Sequence, residues 1–559
     1  MKEISVIAPI KKPEDISDFI PHVKCRDFYV YHHKFLNNNF DYVKEFIDVA
    51  HKNGCRIFLN FKHNITEEDL KEIKKFIKYL KATKIDGIFI NSFAIIEGIK
   101  CFKLPFKVIA DSYFDIHNLN GIEFLNNFHK IDQIIVTEEI YLKNISKIKK
   151  YTRLPLAIDS DNLPWLAEDI IKLNAIDNVV IKGKFETSDD ILEGIELVEK
   201  ILDKPKMFKN QKLPFKHVRK SIYQTNHFSG EMISATGKDF KFSKNILRHE
   251  WDVTRSRIKP ELIERIKNDD LPLPKLNFRL SRLEHINKLK HYLKRLKYNP
   301  LSSIEFGEVL YTKDLADSSY SKIITKVKRF CKMAGIQFQL ATPKILTERD
   351  FDRVYDYSKS LILLDPKPDL LIINNIGYFW AVINDPDLAD IPIGIGQGIN
   401  LLNSMSINCL NQLHQIDSID FTSFESVENV LRTVKVLKNN IPNKKLTIAG
   451  NKKIPSLGLC PLNNDSAILP RLTCPAPCHT GSFALKDPSL KKIIPFACDG
   501  FCQMHMYEDT VLQDFDNIKE YLQAGINEFV FDYSNLDAHY ISVLLTNFLN
   551  KLLELDNTI

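Results

Sequence analysis

The chain has 559 residues, 44% of them hydrophobic and 26% charged, a balance that describes a globular protein and excludes a disordered or low-complexity one. This length exceeds what one ordinary core supports, so two or three domains are expected. The formal net charge of +6 permits contact with RNA or an anionic metabolite without demanding either. No apolar run is long enough for a membrane span, and the start MKEISVIAPIKK has no signal-peptide core or cleavage site. A cytoplasmic location with reduced cysteines is therefore expected.

In chain order, Ile4–Pro9 reads as a short buried strand and Phe28–Tyr31 as a second. Phe40 to Asn53 has helical periodicity and closes at Gly54, a usual residue after a helix end. Arg56–Asn60 is a third strand, and Thr66 opens a helix toward Ala82 with Asp69 at the capping-box position. Further strands are expected at Asp86–Asn91, Phe106–Asp111, Ile131–Thr137 and Val179–Lys182. Apolar strands alternating with amphipathic helices make βαβ units and a parallel sheet, and about eight such units close a barrel.

From Lys204 the texture changes. The run from Lys206 to Lys220 is basic with interleaved aromatics, and Trp251 to Arg257 continues it. A solvated connector is the plainer reading; a patch for RNA or an anionic substrate is the functional one. Strands resume at Leu276–Leu280, Ser303–Phe306, Ile336–Leu340, Leu370–Asn374 and Ile391–Gly394. The expected domains are a first barrel over 1–203, a basic connector over 204–272 and a second barrel over 273–559.

The two halves repeat one another. Asn118, Ile122, Leu125, Asn126, His129, Ile131, Asp132, Ile134 and Thr137 recur as Asn403, Ile407, Leu410, Asn411, His414, Ile416, Asp417, Ile419 and Thr422. Asp86–Asn91 parallels Asp369–Asn374 in the same relative place. His129 and His414 recur in both copies, which points to a role in the fold.

The second copy alone carries a cysteine cluster. Cys460, Cys474, Cys478, Cys498 and Cys502 make up five of the ten cysteines, with two C-x3-C pairs on a Pro- and Gly-rich stretch. Soft thiolates gathered on turns suit zinc or an iron–sulfur cluster. Cys460, the Cys474/Cys478 pair and one later cysteine come from separate turns, which leans toward iron–sulfur over the paired knuckles of zinc.

At the repeat and the cysteines the chain resembles the U32 peptidase (collagenase-like) family. The carrying pieces in the first half are Asp86–Asn91, the Asn118 segment with Thr137-Glu138-Glu139, and Val180-Ile-Lys-Gly-Lys184. In the second half they are Phe306-Gly307-Glu308, Asn403, Thr422-Ser-Phe-Glu425 and Cys460 to Cys502. The resemblance implies two tandem (β/α) TIM-barrel-like domains with a [4Fe–4S] cluster at the mouth of the second. It implies Cys460, Cys474, Cys478 and Cys502 as ligands, with Cys498 as the alternative fourth. The first copy has no cysteine between Leu154 and Lys184 and so lacks the cluster segment.

The resemblance also implies oxygen-independent hydroxylation of an RNA base or a quinone-like ring, with a prephenate-like anion as oxygen donor and an electron donor as partner. The alternatives are U32-type peptidase activity and a non-catalytic iron–sulfur redox or assembly role. No HExxH or GxSxG motif is present, and a cluster on four thiolates leaves no obvious nucleophile. Arg471, three residues before Cys474, is a candidate carboxylate clamp. Glu308 and Glu425 follow strands, where barrel chemistry gathers, and are candidate general acid/base groups. His479, beside Cys478, reads as a solvent or supporting group.

Overall fold

In the computed structural model, residues 4–556 are described apart from 33–40, 62–63, 101, 129–130, 137–141, 161–162, 164–166, 168–169, 173, 183–184, 186, 209–252, 255, 269–273, 297–298, 308–318, 422–425, 454–482, 488–491 and 499–503. The basic run from Lys206 to Lys220 thus falls almost wholly outside the described residues. Contacts divide the chain into two compact units. The first takes residues up to 236 together with 347–349 and 405–409; the second takes the rest.

Eight short strands build the first unit: β1 (Ser5–Pro9), β2 (Asp27–His32), β3 (Arg56–Phe61), β4 (Gly87–Ile90), β5 (Lys107–Ala110), β6 (Gln133–Val136), β7 (Leu156–Asp159) and β8 (Asn178–Val180). Each pairs in parallel with the next, and β1 also pairs with β8, so the sheet closes. The expected strands are all present, with β7 added. Its four residues behind Pro155 are too few for a period to declare itself in the sequence.

The helices follow from their apolar spacing. In Asp41–Lys52, Val43, Phe46, Ile47 and Ala50 are buried, the i, i+3, i+4, i+7 stripe of a helix lying on a barrel. The helix expected from Thr66 begins at Leu70. The reciprocal bonds of the capping box nevertheless form on the preceding turn. The Thr66 N–H donates to Asp69 Oδ2 at 2.8 Å and the Asp69 N–H to Thr66 Oγ1 at 3.4 Å.

The repeated aspartates have a structural role at the N-terminal ends of the strands. Asp86 accepts the Ile57 N–H at 2.8 Å, Asp132 the Val108 N–H at 2.7 Å, Asp177 the Leu156 N–H at 2.8 Å, and in the second unit Asp369 the Phe338 N–H at 2.7 Å. Each carboxylate just ahead of one strand ties down the start of the strand before it. That satisfies an edge N–H and fixes the stagger of the pair. Asn118 caps its helix through the Gly121 N–H at 3.0 Å.

The middle of the first barrel's interior is apolar, while at the strand starts Gln133 on β6 donates to Asn178 on β8 at 2.5 Å. Ile7, Tyr29, Phe58, Phe89, Ile109, Ile135, Ala157 and Val180, one from each strand, form a single layer. The Tyr29 and Phe89 rings are 5.4 Å apart and those of Phe58 and Phe89 5.9 Å. Tyr29 spends its hydroxyl on the Ile181 carbonyl at 2.7 Å and on Tyr31 at 2.9 Å. Tyr29→Phe should therefore cost about 1–2 kcal/mol, because it leaves a buried carbonyl without its donor. Urea unfolding of the two proteins checks this, and no measurable loss would show that the bond is dispensable.

The second barrel is built from β9 (Lys275–Leu280), β10 (Ser303–Phe306), β11 (Gln337–Ala341), β12 (Leu370–Ile373), β13 (Ile393–Ile395), β14 (Ser418–Phe421), β15 (Asn443–Lys453) and β19 (Glu528–Asp532). These eight are parallel, and β19 closes the ring by pairing with both β15 and β9. Between β15 and β19 the chain makes an excursion through β16 (Phe483–Asp487), β17 (Lys492–Cys498) and β18 (Met504–Gln513). These run antiparallel and are joined to the barrel through β18 on β15. The whole cysteine region lies in this excursion.

Candidate functional site

In the second barrel, β9, β10, β11 and β14 alternate apolar and polar residues, with the polar set pointing inward, whereas β12 and β13 carry no polar residue. The proof is contact across strands that are not neighbours. Asn277 on β9 donates to Gln339 on β11 at 2.9 Å, and Lys445 on β15 donates to the same Gln339 at 2.5 Å. Ser303 donates to Glu528 at 2.7 Å, completing a buried polar layer.

Two residues further along the strands, toward their C-terminal ends, lies a second layer centred on Arg279. Its Nε donates to Glu305 Oε1 at 2.7 Å, its Nη1 to Asp532 Oδ2 at 3.0 Å, and its Nη2 to Asp420 Oδ2. All four side chains are at most 5% exposed. Gln397 donates to Asp420 at 3.2 Å and to Thr447 at 3.0 Å, and the Ser534 N–H donates to Asp532 at 2.9 Å. Lys453, the last residue of β15, brings its ammonium to 3.8 Å from Asp532.

One guanidinium facing three carboxylates leaves the layer with surplus negative charge, which Lys453 reduces by one. Burial holds the Asp420 carboxyl above its ordinary range; Arg279 draws it back and the charge of Glu305 adds to the rise. Burial alone would lower the Arg279 guanidinium, but Glu305, Asp420 and Asp532 carry it well above its usual value, so it remains a fixed cation. Layers near the C-terminal ends of strands are where barrel enzymes place their chemistry.

Of the residues singled out from the sequence, Cys460, Cys474, Cys478, Cys502, Arg471, His479, Glu308 and Glu425 lie outside the described residues. Cys498 ends β17, opposite Met504 on β18. The cysteine-bearing excursion leaves the barrel at Lys453, beside the Arg279 layer. The Gly307 that precedes Glu308 has φ +137°, and a Cβ there would meet the Ala341 carbonyl at 2.6 Å. Only glycine lets β10 end so close to β11, which explains the glycine of the Gly-Glu pair.

The described cysteines outside the excursion are unsuited to ligation. Cys25, Cys55, Cys331 and Cys409 are buried, and burial raises each thiol above its ordinary range, to about 12 for Cys331 and Cys409. Cys25 makes thiol contacts with the Val6 and Asp27 carbonyls at 3.2 Å. A cluster needs thiolates, and among the described cysteines these four are protonated core residues. Cys101 and, in the excursion, Cys460, Cys474, Cys478 and Cys502 lie outside the described residues.

Sequence reasoning missed Arg279, Asp420 and Asp532. Only their pattern carries a signal: Asn277 and Arg279, Ser303 and Glu305, Ser418 and Asp420 each recur at a spacing of two on otherwise apolar strands.

The chain is a protein of two tandem (β/α)8 barrels. Residues 30–159, inside the first, match the sequence model of peptidase family U32. No curated protein matches the chain. Among solved structures it is similar to the U32 peptidase Mk0906, at 11% identity and TM-score 0.27, covering 33% of this chain and 95% of that one. It is also similar to the YdjI aldolase from Escherichia coli K12, at 12% identity and TM-score 0.27, covering 37% and 92%. A third is the thiamine phosphate pyrophosphorylase from Pyrococcus furiosus, at 12% identity and TM-score 0.28, covering 36% and 96%.

Proposed function

We propose that the second barrel is an iron–sulfur enzyme of the U32 type that hydroxylates an aromatic or nucleobase ring without molecular oxygen, with a prephenate-like anion as oxygen donor. One observation carries the reading: the cysteine-bearing excursion is rooted through β15 and β18 beside a buried layer of one arginine and three carboxylates. Cys460, Cys474, Cys478 and Cys502 would hold a [4Fe–4S] cluster, with Cys498 as alternative to Cys502. When bound, the cluster supplies one-electron transfer.

The remaining chemistry falls to the chain's own groups. Converting a ring C–H to C–OH takes two electrons from the ring, and a donor that surrenders a hydroxyl oxygen takes them up. A ring proton must also leave. Asp420, raised by burial, is the member of the layer tuned toward proton exchange, and Arg279 holds it in position. The surplus negative charge cannot bind an anionic donor; that role stays with Arg471. RNA and a quinone-like ring are the two acceptor classes in view, the first favoured by the basic connector and the second by the paired barrels.

Protein purified without oxygen should contain about four irons per chain with matching acid-labile sulfide. Cys474→Ala should lose both, and the buried Cys25→Ala and Cys55→Ala should keep them. Stoichiometric zinc without sulfide, or equal loss in all three variants, would overturn the assignment. The family match favours peptidase activity as the second reading: hydrolysis of gelatin that survives Cys474→Ala would support it over ring hydroxylation. A full cluster with no turnover on any ring substrate would favour a redox or assembly partner.

A further inference from the structure

The first barrel has no cysteine cluster, yet its C-terminal mouth holds an unexplained group of buried charges. Asp111 follows β5, Asp159 ends β7, and Lys182 stands two residues beyond β8. The Lys182 ammonium donates to Asp111 Oδ1 at 2.5 Å and to Ser112 Oγ at 2.7 Å, and lies 3.1 Å from Asp159 Oδ1. Ser112 Oγ in turn donates to Asp111 at 3.1 Å or Asp159 at 3.2 Å. Three separate strand ends converge here, so the sequence spacing alone could not reveal the group.

Burial alone would lower the Lys182 ammonium, but Asp111 and Asp159 carry it above its ordinary value. The ammonium is thus engaged as a donor to the aspartates and is not offered as a free amine. Two of its three protons are already committed to Asp111 and Ser112. What remains unmatched is acceptor capacity. Asp111 is 99% and Asp159 93% buried; Asp159 Oδ1 faces the Lys182 ammonium at 3.1 Å, whereas among the described residues Asp111 Oδ2 has no hydrogen-bond partner. The adjacent Ser160 hydroxyl is also buried, with no hydrogen-bond partner among the described residues. Buried carboxylate oxygens are rarely left unmatched, and such atoms ask for a donor from outside the fold. With two aspartates against one lysine, the donor that fits best is positively charged or strongly N–H-donating.

The rim supplies a flat surface. The Tyr113 ring is 52% exposed and has the Lys182 ammonium 5.6 Å from its centroid. Tyr31, partly exposed, stands edge-on to Tyr29 with centroids 5.1 Å apart. An exposed ring beside unmatched acceptors is the combination that takes an aromatic plane bearing donors.

We propose that the mouth of the first barrel is a binding site in its own right, for a small ligand presenting paired N–H donors on an aromatic plane, as an aromatic amidine or a guanine edge does. The site stands independently of the iron–sulfur reading, which concerns the second barrel.

Calorimetric titration of the full chain with benzamidine and, separately, with guanosine tests this. Saturable one-to-one binding of either probe is the expected result. Benzamidine alone would identify a cationic ligand and guanosine alone a neutral one. Asp111→Asn should weaken binding by about tenfold or more, since it removes a charged acceptor. Tyr113→Ala, at the exposed rim, should weaken it several-fold with an unchanged unfolding transition. No binding of either probe up to about 10 mM, weaker than any specific site of this size, would overturn the proposal. So would binding that neither substitution diminishes.

Discussion

Arg279→Met is expected to destabilise the second barrel by about 3–5 kcal/mol, the cost of breaking a buried ion network by removing one partner. The guanidinium is bonded to Glu305, Asp420 and Asp532 at once, and methionine offers similar volume with no donor. Three carboxylates would then face one another in a space from which water is excluded. Arg279→Lys should fall between, because a single ammonium cannot replace a planar fork serving three partners.

The pH dependence identifies the cause. Asp420 already has a folded-state carboxyl raised above its ordinary value, by burial first and then by Glu305 against Arg279. A group raised on folding contributes stability below its unfolded pKa and loses that contribution as pH rises through its folded pKa. Without Arg279 the Asp420 carboxyl rises further, so the deficit of the variant should be largest at neutral pH and shrink on acidification. Calorimetric unfolding of both proteins at pH 7.5 and about 5.5 decides the matter. A loss under about 1 kcal/mol, or one that grows as pH falls, would mean that the layer is not an electrostatic unit.

The same residues show how far the sequence could be read. The first barrel was legible because its strands are apolar on both faces, as strands between a packed interior and a helical shell must be. The repeat was legible too, and Asp86, Asp132 and Asp369 proved to be clamps on neighbouring strand starts. The second barrel inverts the usual code. Its alternating strands resemble one-sided sheet strands, in which polar residues face water. Here the apolar residues face the helices and Arg279, Glu305 and Asp420 face one another. Alternation states that two faces differ, but it does not say which one is inside.

β15 was hidden for a related reason. Its sequence, NKKLTIAGNKK, reads as a basic surface segment, yet Lys445 is fully buried against Gln339. Lys182, Asp111 and Asp159 meet only when the ring closes. The cysteines announced themselves by clustering, whereas the place where their segment joins the barrel depended on the pairing of β15 with β18.

That junction turns on Gly450, and Gly450→Ala is expected to cost about 2–5 kcal/mol. Gly450 has φ +101°, and a Cβ there would stand 2.0 Å from the Asp532 carbonyl oxygen and 2.7 Å from its carbon. Left-handed backbone costs a non-glycine residue about 1–2 kcal/mol, and forcing a methyl into packed backbone adds about 1–3 kcal/mol. The clash cannot be relieved by a side-chain rotation, because the obstructing atoms are main chain. Two breaks in register flank the position, Thr447/Ala449 against β19 and Asn451/Lys453 against β18. The glycine lets one strand serve both as a barrel stave beside Asp532 and as the root of the cysteine-bearing excursion. Gly335→Ala is the matched control: it too has positive φ, +64°, but open space where the Cβ would go, so it should lose only about 1 kcal/mol. Iron content measured with stability then separates two consequences. If the excursion holds the proposed cluster and depends on its root, Gly450→Ala should carry less iron per chain at temperatures where it is still folded, and Gly335→Ala should carry the full amount. Equal stability of the two variants would show that β15 can move away from β19, and that the close approach at Asp532 is not what anchors the excursion.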